Sequence, residues 1–196
     1  MKKGAEKYKA AATNDYSGAL PSAELDTNIA FFKEIFKKDF NGIFEKDSVL
    51  RQKKITVHGV YNYECALFYM DGMVDSELIT ESIVKPLLLV QNERTEGSFA
   101  DYIKNQVLFA SETKSTENVA DMLRAVLYGD TLLLIDGCLT AITINTKGWR
   151  TRGISEPSDE RILQGPREGF DEAALLNVAM IRRKLLTPDL CTEMVR

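Results

Sequence analysis

The stretch from Glu117 to Thr146 constrains the fold more than any other part of the chain. Val119, Met122, Leu123, Val126 and Leu127 recur at helical spacing and lay an apolar stripe along one face, and Gly129 follows where a helix can close. Thr131–Ile135 is then a short all-apolar strand, Asp136-Gly137 a tight turn, and Leu139–Thr146 a strand in which Ile142 and Ile144 alternate with polar neighbours. A helix running straight into a hairpin asks for a sheet that the helix can cover.

The chain upstream repeats the theme. Leu50–Val57 and Glu64–Met70 are rich in β-branched and aromatic residues, and the turn-like Gly59–Asn62 between them makes a second hairpin. The strand ending at Met70 runs into Asp71-Gly72, and a helix starts near Asp75 or Ser76 with Leu78, Ile79, Ile83 and Leu87 on one face; Pro86 is expected to kink or shorten it. After the polar stretch 91–97, a short helix over Phe99–Lys104 precedes a strand over Val107–Lys114. Nearer the N-terminus, Ser22 is the expected cap of a helix whose Leu25, Asn28, Ile29, Phe32, Ile35 and Phe36 face one way. Strands alternating with helices, and antiparallel at the hairpins, give a small mixed sheet covered by helices: a mixed α/β class.

Composition then divides the chain. Residues 1–21 are small and polar, with Lys2, Lys3, Lys7 and Lys9, and hold too little apolar surface to offset the entropy of ordering, so a disordered tail is expected. Residues 22–146 form the α/β domain. Over 147–170 the periodic pattern gives way to Gly, Pro, Arg and Glu, which reads as an extended connecting arm. Residues 171–196 hold a linker helix and a tail. Asp171 and Glu172 open that helix, Arg182, Arg183 and Lys184 close it in keeping with its dipole, and Pro188 stops it. Its stripe of Leu175, Val178, Ile181, Arg182 and Leu185 or Leu186 needs a partner in this domain, in a further unit or in a neighbouring subunit.

Several function classes fall away. With 25 Lys and Arg against 29 Asp and Glu, no strong field draws the chain to nucleic acid or an anionic surface. Cys65, Cys138 and Cys191 are odd in number and lack a CxxC pair, against both a disulfide framework and a zinc site, and a reducing, cytosolic compartment fits them best. No apolar run approaches the roughly 20 residues needed to cross a bilayer, so any membrane link is expected outside this sequence. His58 is the single histidine and gives an enzyme little to build on, and the glycines at 165 and 169 lack phosphate-loop spacing; no cofactor is expected.

Two sets of residues stay open. Asp71-Gly72 and Asp136-Gly137 each follow an apolar strand, so two carboxylates can meet at one edge of the sheet and hold a ligand; the same dipeptides are also what turn geometry demands. In the arm, Pro166 stiffens the chain between Gly165 and Gly169, and Arg167 and Glu168 offer paired charges that can dock on another surface or stay solvated before the helix at Phe170. Arg182, Arg183 and Lys184 can reach lipid head groups or an acidic partner, or only complement the helix end.

The run 148–157, Gly-Trp-Arg-Thr-Arg-Gly-Ile-Ser-Glu-Pro with Trp149 and Arg152, followed by Gly165-Pro166-Arg167-Glu168-Gly169-Phe170, closely resembles the GerA-type spore germinant receptor A subunits. Asn177, Ile181, Arg182, Arg183, Leu185 and the ending Thr187-Pro188-Asp189-Leu190 continue the resemblance. It implies the first part of a soluble N-terminal region, in a receptor at the inner membrane of a bacterial spore, on its cytoplasmic side. It also implies a permease-like B subunit and a lipoprotein C subunit as partners, and a small nutrient as the signal. The expected role is a non-catalytic signalling module whose arm and last helix couple it to the rest of the receptor, so that Arg167→Ala or Arg182→Ala leaves the domain folded while weakening assembly or response. The alternative is one lobe of a nutrient-binding cleft, with the Asp71 and Asp136 turns near its mouth.

Overall fold

A computed structural model describes residues 16, 18–40, 43–47, 49–59, 61–90, 98–148, 170 and 173–193, with 38–40 and 43–46 as backbone. The elements are α1 (Leu25–Ile35), β1 (Lys37–Phe40), β2 (Ile43–Lys46), β3 (Leu50–Val57), β4 (Tyr63–Met70), α2 (Ser76–Ile79), α3 (Lys85–Leu89), α4 (Phe99–Tyr102), β5 (Thr113–Thr116), α5 (Val119–Leu127), β6 (Thr131–Ile135), β7 (Ala141–Ile144) and α6 (Ala174–Lys184). Two π-helical turns, Thr80–Val84 and Ile103–Val107, extend α2 and α4. β1 and β2 form their own two-stranded ribbon, and the other strands make one five-stranded antiparallel sheet in the order β3-β4-β6-β7-β5.

The all-apolar β6 is explained by burial on both faces. Leu132 and Leu134 join Phe68, Met70 and the stripes of α1 and α5 in one core, while Leu133 and Ile135 join Leu67, Ile79, Ile83, Leu87 and Ile103 in another. A strand at the middle of such a three-layer stack has no solvent side, so its pattern is continuous rather than alternating. Phe32 of α1 lies against Phe68 with ring centroids 5.3 Å apart, and on the opposite face Tyr63 stacks on Phe99 at 3.7 Å. Burying a Phe or Leu side chain contributes about 1.5–3 kcal/mol.

Both hairpins, the α1 and α5 stripes and the helix after Asp75 lie where the sequence puts them. Four expectations change. Pro86, expected to kink or shorten its helix, is accommodated within it: the backbone widens to a π turn just before it, α3 continues to Leu89, and the Ser82 carbonyl that Pro86 cannot bond accepts the Phe109 N–H instead, at 3.2 Å. The strand expected over 107–114 begins at Thr113, because Ile103–Val107 winds as a π turn. Ser22 is not the cap of α1, which opens after Glu24 with no capping bond from that side chain. Finally, the polar segment expected to be disordered through residue 21 is engaged at its end: Tyr16 and Ala19 pack on the core and the Ala19 carbonyl accepts the Val119 N–H at 3.3 Å.

Candidate functional site

The two Asp-Gly turns do not share an edge of the sheet. β4 and β6 run antiparallel with Cys65 opposite Ile135, so Asp136 sits beside Glu64 at the start of β4 while Asp71 follows its end. Seven residues of strand separate those positions, roughly 23 Å at about 3.3 Å per residue. Each carboxylate is spent locally. Asp136 Oδ1 accepts the Leu25 N–H at 3.0 Å and so caps α1 from the β6–β7 turn, the task the sequence assigned to Ser22. Asp71 Oδ2 accepts from Arg51 Nε and Nη2 at 3.0 and 2.6 Å, and its Oδ1 accepts the Gly72 N–H.

Gly72 and Gly137 have φ of +80° and +78°, as their turns require. Gly137 is open on its side-chain face, whereas a Cβ at Gly72 would lie 2.6 Å from Leu175 Cγ. The Asp71-Gly72 turn is therefore the floor on which α6 rests. His58 is exposed, with Nδ1 3.3 Å from Asn62 Oδ1.

Residues 146–148, where the arm is expected to begin, are fixed to the turn that follows β4. Asp75 donates its N–H to the Thr146 carbonyl at 2.7 Å, Gly148 donates to the Met73 carbonyl at 3.1 Å, and Val74 and Lys147 form an antiparallel bridge. The approach is so close at Gly148 that a Cβ would stand 2.3 Å from the Asp75 nitrogen. Beneath it the Thr131 and Thr146 hydroxyls meet at 2.8 Å with both residues buried. Lys147 pairs with Asp130 and lies 5.1 Å from the centre of the Tyr128 ring. Burial raises the Asp130 carboxyl above its ordinary range, against the opposing pull of Lys147.

The last helix does not leave the core. Ala179 is buried, and Leu175 and Val178 pack on the cluster built by α1, α5 and one face of the sheet. Arg182, offered by the sequence to lipid head groups, an acidic partner or the helix end, is 1% exposed, and its Nη2 forms an ion pair with Asp47, whose side chain is also 1% exposed. The same Nη2 donates to the Leu190 carbonyl at 2.8 Å and to Thr192 Oγ1 at 3.0 Å, and the Thr192 N–H donates to Asp47 Oδ1 at 3.3 Å. Three separate segments, the loop before β3, α6 and the chain after Pro188, thus converge on one buried charge pair. Asp47 gave no sign of this in the sequence, where it sits in a short polar connection. The one available signal was Arg182 itself, a cation at an apolar position of the α6 stripe.

Arg183 is half-buried and Asn177 partly buried on the same helix, and Phe170 is exposed. Phe170, Met180, Ile181 and Lys184 line an open groove of about 320 Å³ on the outer side of α6. Trp149, Arg152, Gly165, Pro166, Arg167, Glu168 and Gly169 lie outside the described residues.

Residues 32–196 match the model of the Bacillus/Clostridium GerA spore germination protein family. The chain belongs to that family. Among its relatives, spore germination protein KA of Bacillus subtilis is 31% identical over 76% of this chain and 27% of its own length, and spore germination protein GerLA of Bacillus cereus is 30% identical over 64% and 25%. The chain thus spans about a quarter of the length of these curated relatives. Its fold is that of the crystallised N-terminal domain of the A subunit of the Bacillus megaterium spore germinant receptor GerK3, with a TM-score of 0.57 at 20% identity over 88% of this chain and 59% of that one. The GerA-family chain therefore shares its mixed α/β architecture with a germinant receptor domain, and no helix among its described residues is long and apolar enough to cross a membrane.

Proposed function

We propose that this GerA-family chain is a non-catalytic signalling module of a nutrient-responsive germination receptor, and that it couples its α/β domain to the membrane-embedded part of the receptor. Its partners in this reading are the permease-like and lipoprotein subunits of the same receptor, met on the cytoplasmic side of the spore inner membrane. The observation that carries the reading is that residues 146–148 and the helix α6 meet at the same short turn. Residues 146–148 bond to Met73–Asp75, and α6 rests on Gly72. A displacement of the segment after β4 is thus felt at the start of the arm and at the helix beyond it, which is the geometry a coupling element needs.

Arg167, a residue of the motif that carries the family resemblance, is the one to test, since the Arg182 charge is consumed inside the domain. Spores carrying the complete receptor with Arg167→Ala are expected to contain normal amounts of the subunit and to germinate more slowly on nutrient. Germination at the unchanged rate with unchanged subunit levels would overturn the reading.

A further inference from the structure

The seat of α6 is unusually polar for a helix that packs on a core. Ala179 is its one buried apolar residue, Leu175 and Val178 are partly covered, and Leu176, Leu185 and Leu186 remain 39%, 52% and 46% exposed. The Ala173 side chain offers the start of the helix no capping bond. What holds it is the Asp47–Arg182 pair at full burial, and that pair is incompletely satisfied: among the described residues Arg182 Nε and Nη1 have no hydrogen-bond partner. A guanidinium carries five N–H donors, and leaving some of them dry offsets much of what the ion pair contributes. Water would satisfy every donor of Arg182 and both oxygens of Asp47 if the helix lifted away. Docked and lifted states are therefore closer in free energy than an apolar seat of the same size would make them.

We propose that the Asp47–Arg182 pair and the strand of chain over it form a release latch, a two-state lock that lets α6 leave the sheet. The strap is 190–192, whose Leu190 carbonyl and Thr192 hydroxyl accept hydrogen bonds from Arg182 while the Thr192 N–H donates to Asp47. Because it bonds to both members of the pair, any pull on the chain at this point acts on the lock directly. Opening also removes Leu175 from Gly72, and so releases the turn to which the start of the arm is bonded. The use of this latch in signalling rests on the coupling role proposed above; its existence does not.

Hydrogen exchange on the 196-residue chain tests it, with the Asp47→Leu/Arg182→Met double variant as the arm that keeps volume and removes both charges. In the unaltered chain the amides of α6 are expected to exchange at least about tenfold faster than those of β4 and β6, as a unit that opens below the global limit. The double variant is expected to slow α6 by roughly tenfold or more and leave β4 and β6 unchanged. Exchange of α6 together with the sheet in the unaltered chain, or faster exchange of α6 in the double variant, overturns the latch. Should the double variant slow α6 and yet spores carrying it germinate normally, the latch stands and the coupling role is what fails.

Discussion

Gly72 and Gly137 end the same Asp-Gly dipeptide with nearly the same φ, and the fold treats them differently. An alanine at either must adopt a left-handed backbone, at a cost of about 1–2 kcal/mol. At Gly137 nothing else stands within 4 Å, while at Gly72 the new methyl meets Leu175 at 2.6 Å. Gly72→Ala is therefore expected to lower stability by more than Gly137→Ala, measured as the shift in urea midpoint at constant slope, and to do so by loosening α6; equal shifts would mean that the Leu175 contact carries no weight. Cys65 makes a second residue-scale case. Burial, with smaller contributions from Cys138, Glu64 and Asp136, pushes its thiol from 9.0 up to about 12. The folded value is the raised one, so the stability it confers is fully present below pH 9.0 and is lost as pH climbs toward 12. Unfolding free energy is expected to fall by up to about 1.4 kcal/mol per pH unit in that window, and Cys65→Ala to flatten the fall. A profile unchanged by the substitution would show that other groups cause it.

The elements divide by where their information lies. The stripes of α1 and α5 and the apolar run of β6 were legible because burial writes them into local periodicity. The π turns were not, since Thr80–Val84 has an ordinary helical pattern and widens to serve the carbonyl that Pro86 leaves free. The partner of α6 was illegible for another reason: Asp47 and Arg182 are far apart in sequence and meet only when the fold is complete. That pairing reverses an expectation drawn from sequence, that Arg182→Ala leaves the domain intact. Removing one member of a buried ion pair costs about 3–5 kcal/mol, because the other charge stays behind without compensation. Arg182→Ala and Asp47→Ala are each expected to lose stability in that range by chemical denaturation, and the two together far less than the sum. Additive losses would show that the pair is not coupled.

At the scale of the whole molecule, the family resemblance reaches into the folded core, since Asn177, Ile181, Arg182 and Arg183 lie on α6, which packs there. Residues 149–169 of that resemblance lie outside the described residues, and the candidate site that emerged is built from Gly72, read from sequence as a turn, the segment 146–148, read as a strand end and the start of an arm, α6, read as a linker helix whose stripe needs a partner, and Asp47. The Asp-Gly dipeptides were right as turns and misleading as a shared ligand mouth, because antiparallel pairing of β4 and β6 sends their ends in opposite directions. This bears on where a nutrient can bind. A site assembled from both turns would have to bridge roughly 23 Å, more than a single amino acid, sugar or nucleoside spans. A larger concave surface than the one beside α6 is an open groove of about 530 Å³ lined by Leu20, Ser115, Thr116, Glu117, Asn118 and Thr140. Several of its polar groups are already engaged, Thr140 with Glu117 at 2.8 Å and Asn118 with the Ala120 N–H at 2.8 Å, so a ligand that used them would have to displace those bonds. Amide NMR titration of this chain with a panel of amino acids, sugars and nucleosides is therefore expected to leave the Asp71 and Asp136 turns and the Ser115–Asn118 groove unshifted at millimolar ligand. Saturable shifts along Ser115–Asn118 would make the domain itself the sensor and move the coupling elements into the role of its readout.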